Sequence, residues 1–412
     1  MNIRCCCLAL AATLLVACEP AANSVQSSDL SARARAIADS AIIVDTHIDV
    51  PMKLLRSGAD VSEPAEGFDF DYPRAVMGGL NAPFMSIYTG AELEAEGRSR
   101  EVAEQLVDAV EGLVASAPDK FAIARSPDDL RHHLAEGLIS LPLGMENGSP
   151  IEGELANLKY FYDRGIRYIT LAHSLSNHIS DSSYDENRQW RGLSEFGKEV
   201  VVEMNRIGIM VDVSHLSDEA FWDVIEISEV PVIASHSSAR HFTPGWERNM
   251  SDEMIAGLAG NGGVIQINFG SGFITEDARE YDKLRWPAVT AWVEENPEIG
   301  YAGVGEHFMP EYIAANGPYP FATLDDVLDH FDHVVELVGI DHVGIGSDYD
   351  GVGDSLPEGL KDVSAYPNLI EGLLRRGYSE ADVRKILGEN LLRVWSEVEA
   401  FADQAAMTSS ST

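Results

Sequence analysis

Seven side chains able to bind a metal or move a proton stand at the ends of short apolar runs in this chain. The first run, Ala41–Asp49 (AIIVDTHID), closes on His47 and Asp49, and side chains two apart on a strand share a face. Ile139–Glu146 closes on Glu146, Tyr168–His173 on His173 and Ile209–His215 on His215. Pro231–His236 closes on His236 and His342–Asp348 on Asp348. A lone histidine at a strand end is more often a satisfied core or surface residue than a ligand. Seven such groups at one end of six strands are read instead as a joint metal site. Imidazole and carboxylate donors suit borderline divalent cations, zinc foremost. Six donors exceed what one tetrahedral zinc with an open water position needs. Two metals sharing a carboxylate fit better, and such pairs sit about 3.5–4 Å apart in hydrolytic sites. A water held between them loses its proton near neutral pH and becomes the nucleophile, so no Ser–His or Cys–His pair is required.

Such groups converge only if the runs are parallel strands. With Ala82–Tyr88 and Gly263–Phe269 there are eight runs, and helical patterns follow most of them: Arg98–Ala117, Pro150–Arg164, Leu193–Arg206, Asp218–Ile227, Ser251–Ala259 and Thr323–Val338. The alternation predicts an α/β fold, a (β/α)8 TIM barrel with insertions, whose reactive groups gather at the C-terminal ends of the strands. An open doubly wound sheet is the second choice, but no glycine-rich phosphate loop follows the first strand. Residues 272–320, rich in Trp, Tyr and Pro, form an insertion that could be a lid, an oligomer contact such as a homodimer's, or simple decoration. Residues 363–400 read as two closing helices, the second Ser379–Val398, over the outside or the lower end of the barrel. The H-x-x-H of His330 and His333, set among Asp329, Asp332 and Glu336, reads as a solvated acidic face.

Composition narrows the chemistry from another side. The chain of 412 residues carries 29 Lys+Arg against 67 Asp+Glu, a formal net charge of −38, which argues against nucleic acid as a partner. All four cysteines, Cys5, Cys6, Cys7 and Cys18, precede residue 19, so any metal in the folded part must be held by His and carboxylate. Residues 1–17 have a secretory signal layout, and Leu15-Val16-Ala17-Cys18 resembles the lipobox of bacterial lipoproteins. That resemblance implies cleavage before Cys18 and a diacylglycerol on its sulfur. The expected plan is a signal peptide at 1–17, a lipid-anchored polar tether at 18–30, the barrel at 31–400 and a disordered tail at 401–412. Such a protein would be exported to a bacterial cell envelope and held at a membrane.

Taken together, the motifs resemble those of the membrane (renal) dipeptidase family, zinc peptidases of the metal-dependent amidohydrolase-like barrels. The matching segments are D-T-H-I-D-V-P at 45–51, G-M-E-N-G at 144–148, R-Y-I-T-L-A-H at 167–173, D-V-S-H at 212–215, S-H-S-S-A-R at 235–240, R-N at 248–249 and G-I-G-S-D-Y-D-G at 344–351. They run in order from about residue 35 to 397. The resemblance implies two zinc ions per chain, one held by His47, Asp49 and Asp348, the other by His215 and His236, with Glu146 bridging. It makes His173 a group that polarises the scissile carbonyl, and Arg248 the partner of the dipeptide's C-terminal carboxylate. Asp348 would also manage the proton passing to the leaving amine. The implied reaction is attack of a zinc-bridging hydroxide on the peptide carbonyl of a dipeptide, whose C-terminal residue can be L or D. Asp45 and Asp350, each two residues from a ligand, could support the ligands from behind. No cysteine follows Cys18, so the disulfides of mammalian members cannot form. Two other readings stay open: a related barrel hydrolase acting on N-acyl amino acids, cyclic amides or lactones, and a surface binding lipoprotein without catalysis.

Overall fold

The computed structural model describes residues 21–409; residues 1–20, with the expected signal peptide and Cys18, and residues 410–412 lie outside the described residues. Among the described residues ten strands form: β1 Val44–Ile48, β2 Ala82–Tyr88, β3 Phe121–Ile123, β4 Ile139–Leu141, β5 Leu143–Glu146, β6 Ile166–Thr170, β7 Met210–Asp212, β8 Ile233–Ala234, β9 Val264–Ile267 and β10 Val343–Ile345. Eight of them make one parallel sheet in the order β1-β2-β5-β6-β7-β8-β9-β10. The sheet curls until its first and last strands meet. The seam is made by the backbone just past β10, where Asp348 N donates to His47 O at 3.1 Å and Asp49 N to Tyr349 O at 2.9 Å. The expected α/β barrel is the fold observed.

The strands are shorter than the apolar runs suggested, and one run is divided. Pro142 has no N–H to give to a ladder, so Ile139–Glu146 separates into β4 and β5. β4 leaves the barrel and pairs with β3, a strand the sequence reading missed, in a two-stranded side sheet.

Serine and threonine set where the helices around the barrel begin. Helices Glu195–Ile207, Asp218–Ile227, Asp252–Gly260 and Leu324–Val338 each follow a Ser or Thr whose hydroxyl accepts an N–H three residues on. Each such cap is worth about 1 kcal/mol. The apolar faces of these helices pack on the outside of the sheet. A second apolar cluster fills the lower end of the barrel, where Val44, Ala82, Met210, Ile233 and Val264 start their strands. Helix Asn390–Ser409 plugs that end, with the Trp395 ring 5.4 Å from Phe84.

Three expectations need correction. Helix Ala21–Ala38 occupies most of the span read as a polar tether, because AANSVQSSDLSARARAIA contains neither Gly nor Pro and is rich in Ala. The segment from 401, read as a disordered tail, continues the closing helix to Ser409 for the same reason. His330 is not on a solvated face: it is fully buried, accepting from Ala239 N at 3.1 Å through Nδ1 and donating to Ile274 O at 3.0 Å through Nε2. The insertion at 272–320 is itself helical, its longest element being Glu276–Glu295. No helix of the described residues is long and apolar enough to cross a membrane.

Candidate metal centre

The upper rim of the barrel receives one polar side chain or more from each of the eight strands. β1 delivers His47 and Asp49, β2 ends in Tyr88, and β5 ends in Glu146. The others arrive slightly later than the sequence suggested. His173, His215 and Asp348 lie three residues past β6, β7 and β10, His236 two past β8, and Asn268 one past β9. These loop positions are bent hard: His215 and Asp348 have φ of 68° and 64°. A left-handed backbone at a residue other than glycine costs about 1–3 kcal/mol and clusters where function needs the geometry.

Glu146 is the hub. Its Oε2 lies 3.4 Å from His47 Nε2. Its Oε1 lies 3.3 Å from His173 Nε2, 3.2 Å from His215 Nε2 and 3.4 Å from His236 Nε2. Asp49 Oδ2 stands 3.5 Å from His47 Nε2, and Asp348 joins His47 and Asp49 in a third group of close donors. Gly351 makes that meeting of carboxylates feasible, since a Cβ there would lie 2.1 Å from Asp49 Oδ2 and 2.3 Å from Asp348 Oδ1. All six residues expected to bind metal are thereby brought together, with His173 beside them.

The hydrogen bonds behind the imidazoles fix which nitrogen faces inward. Ser235 Oγ lies 2.6 Å from Asp212 Oδ2, which can only accept, so Ser235 gives its proton there and receives one from His236 Nδ1 at 2.7 Å. Tyr168 likewise gives its proton to Thr46 O at 2.9 Å, which leaves His47 Nδ1 to donate to the Tyr168 oxygen at 2.9 Å. Arg248 Nη2, a donor only, lies 3.0 Å from His215 Nε2. In the neutral rings that metal binding requires, each of these three Nε2 atoms carries the lone pair. Yet His215 Nε2 and His236 Nε2 are 2.8 Å apart and both face a carboxylate, and His47 Nε2 has no hydrogen-bond partner among the described residues. Lone pairs crowded on carboxylate oxygens repel unless a cation lies among them, so this donor set fits divalent metal ions. Histidine ligands oriented from behind by hydroxyls and carboxylates are the usual support of such sites.

Without a cation the cluster supplies its own positive charge: burial disfavours a charged His47, but Tyr168, Glu146 and Asp49 around it raise its imidazole well above the ordinary value. Burial would raise Glu146, but the imidazoles of His47 and His173 hold it well below the usual carboxylate range. Burial and then the Arg248 charge push His215 well below the ordinary imidazole value, and burial and then His47 do the same to His236. Burial and the neighbouring Asp49 raise Asp348 to about 7. Asn268 Nδ2 donates to Asp348 Oδ2 at 2.7 Å.

Sequence reading missed Tyr168, Ser235, Asp212 and Asn268. The available signal was a polar group inside an otherwise apolar stretch, as Asp212 is in Ile209–Val213 (IMVDV). Asp45 does support the site, as suspected: it accepts from the backbone of His47 and Ser347 and from the Tyr366 hydroxyl across the seam. Asp350 instead pins the loop above, binding Lys53 Nζ at 2.6 Å and the N–H groups of Asp69 and Phe70. Arg248 is only 2% exposed, its guanidinium donating to Ser237 Oγ and His236 O at 2.8 Å each.

Above the cluster opens a cavity of about 880 Å³, with Asp49, Glu146, His173, His215 and Asp348 on its floor. A carboxylate-bridged histidine cluster at the mouth of a parallel barrel defines a metal-dependent hydrolase. The chain belongs to the membrane dipeptidase family, peptidase family M19, whose model matches residues 31–409, and it is a metallodipeptidase of that family. Among solved structures it is similar to the probable dipeptidase PvdM from Pseudomonas aeruginosa, at 29% identity and a TM-score of 0.78 over 91% of this chain and 100% of that one. It is also similar to dipeptidase AC, a metallopeptidase, at 26% identity and 0.71, covering 87% of this chain and 99% of that one. A metallopeptidase from Rhodobacter sphaeroides, liganded with a phosphinate mimic of the dipeptide L-Ala-D-Ala, matches at 26% and 0.71, over 87% and 100%.

Proposed function

We propose that this metallodipeptidase works through two zinc ions, with His47, Asp49 and Asp348 on one, His215 and His236 on the other, and Glu146 shared. The observation that carries this reading is the divided attention of Glu146, whose two oxygens face His47 and the His215–His236 pair separately. Bound zinc would supply Lewis acidity and a water acidified to near-neutral pKa.

The chain's own residues do the remainder. His173 stands on the cavity floor 3.3 Å from Glu146 Oε1, placed to donate through Nε2 to the oxygen of the scissile carbonyl. Arg248 pairs with the C-terminal carboxylate of the substrate. Its Nε is buried without a partner, so the guanidinium retains a donor for that carboxylate. Asp348, on the cavity floor and oriented by the Asn268 amide, is placed to pass a proton to the leaving amine. Reading a free C-terminal carboxylate explains a preference for dipeptides over long chains. The L-Ala-D-Ala mimic bound by the Rhodobacter relative supports acceptance of a D-residue at that position.

The decisive comparison sets Xaa-Xaa dipeptides, with L or D C-terminal residues, against the N-acyl amino acids, cyclic amides and lactones of the rival barrel hydrolases. Dipeptides should turn over fastest, and Arg248→Ala should reduce kcat/KM most for them. Faster turnover of N-acyl amino acids would overturn the reading. Export and a lipid anchor at Cys18 belong to the same proposal. Mass spectrometry of the membrane fraction should find diacylglycerol on Cys18, and a Cys18→Ser chain should lose it.

A further inference from the structure

Acids outnumber bases by more than two to one in this chain, and basic side chains accordingly find carboxylates nearby. On helix Glu276–Glu295, Lys283 pairs with Glu280 at 3.2 Å and Arg285 with Asp282 at 2.6 Å. Arg279 does not pair, although Glu276, Asp277, Glu280 and Asp282 are its neighbours in sequence. Among the described residues it forms no ion pair, and its Nε is buried without a hydrogen-bond partner. Instead its guanidinium lies over the Trp246 ring, 4.3 Å from the centroid, on the wall of the cavity above the metal centre.

Trp246 links Arg279 to the site. Its ring is 5.0 Å from that of Phe273, and Phe273 in turn carries the guanidinium of Arg248 at 5.2 Å. Two arginines are thus held by one pair of aromatic rings, the inner one against His215 and the outer one facing the cavity. A guanidinium held over an aromatic ring is restrained while its N–H donors stay available. The cavity, about 880 Å³, lies toward the upper end of the range that encloses drug-sized ligands, which is more than a minimal dipeptide fills.

We propose that Arg279 is an anion-binding residue of the outer cavity, and that this enzyme prefers dipeptides carrying a second carboxylate on a side chain. The inference rests on the dipeptidase reading and deepens it. Orienting an unpaired arginine in an acidic protein leaves a buried donor unsatisfied, and a substrate carboxylate satisfies it with a planar, two-pronged contact.

The test compares isosteric peptides on the zinc-loaded enzyme: Glu-Ala with Gln-Ala, and Ala-Glu with Ala-Gln. At one of the two positions Glu should exceed Gln in kcat/KM by about tenfold, the factor carried by one good charged contact. Arg279→Gln should bring that ratio close to one. Arg279→Lys should keep part of it, and Arg56→Gln, which removes another arginine of the cavity wall, should leave it in place. A ratio near one at both positions in the wild type, or a ratio that survives Arg279→Gln or falls equally in Arg56→Gln, overturns the proposal. Calorimetric binding of the same peptides to wild type and Arg279→Gln decides the role of Arg279 even without turnover, whereas absence of turnover counts against the dipeptidase reading alone.

Discussion

The hydroxyl of Tyr168 lies 2.9 Å from Nδ1 of His47, reaching it across the interior of the barrel from β6. Because the same hydroxyl gives its proton to Thr46 O, it keeps Nδ1 of His47 a donor, so that the neutral, metal-binding ring turns its Nε2 lone pair toward Glu146 and Asp49. Tyr168→Phe keeps the ring and removes this orienter. Zinc affinity, measured by competition with a chromogenic chelator, should fall about 10–100-fold, the usual cost of losing such a partner. Unchanged affinity would show that packing alone orients His47.

Gly144 is the other half of that arrangement. A Cβ on Gly144 would lie 2.0 Å from the Tyr168 ring, so only glycine lets the tyrosine cross β5. Gly144→Ala should displace Tyr168, costing about 1–3 kcal/mol through overpacking and lowering metal content together with Tm. The double variant Gly144→Ala/Tyr168→Leu should recover Tm without recovering affinity. Loss of affinity with an unaltered Tm in the single variant would argue against a steric cause.

His330 gives a pH dependence separable from the metal. Burial lowers its pKa to about 4, and its two hydrogen bonds suit the neutral ring. The unfolded chain, with an ordinary imidazole near 6.5, binds the proton first as pH falls. The contribution of His330 is therefore complete above about 6.5 and is lost progressively toward 4, by an amount on the order of 3 kcal/mol. Urea midpoints of chelator-treated protein should show this slope, and His330→Gln should flatten it. Equal slopes in the two proteins would remove His330 as the cause.

Glu399 should act with the opposite sign. Burial, with Asp403, Asp128 and Asp129 adding to it and Arg167 opposing it, raises this carboxyl to about 7. The folded state then holds a proton that the unfolded state releases near its ordinary value of about 4.3, so stability declines as pH rises between that value and 7. Glu399→Gln should raise Tm at pH 8 relative to wild type and leave it nearly unchanged at pH 4. A lower Tm at pH 8 would mean that the ionised group is a net stabiliser through Arg167.

The site was more legible than its supports. His47, Asp49 and Glu146 could be placed because they sit in or directly after regular strands, where alternation of side chains is a strict rule. His215 and Asp348 were placed at the correct end of the barrel but assigned to strands that stop three residues earlier, since the sequence does not announce a left-handed turn at His or Asp. The division of Ile139–Glu146 was marked by Pro142, yet β3, only three residues long, gave no periodic signal. His330 was misread because acidic neighbours on the exposed side of a helix say nothing about its buried side. Arg279 was invisible for a related reason: a charged residue within an acidic helix looks paired until its orientation is known.

In the proposed mechanism the cluster around Glu146 binds zinc and dipeptide hydrolysis depends on it. The most direct measurement is a zinc titration of chelator-treated protein with turnover of a dipeptide followed at each addition. Turnover should be absent at the start and rise to its plateau at two equivalents of zinc per chain, while Glu146→Ala should remain inactive at every ratio. Full turnover by the metal-free protein, or by metal-free Glu146→Ala, would contradict the account.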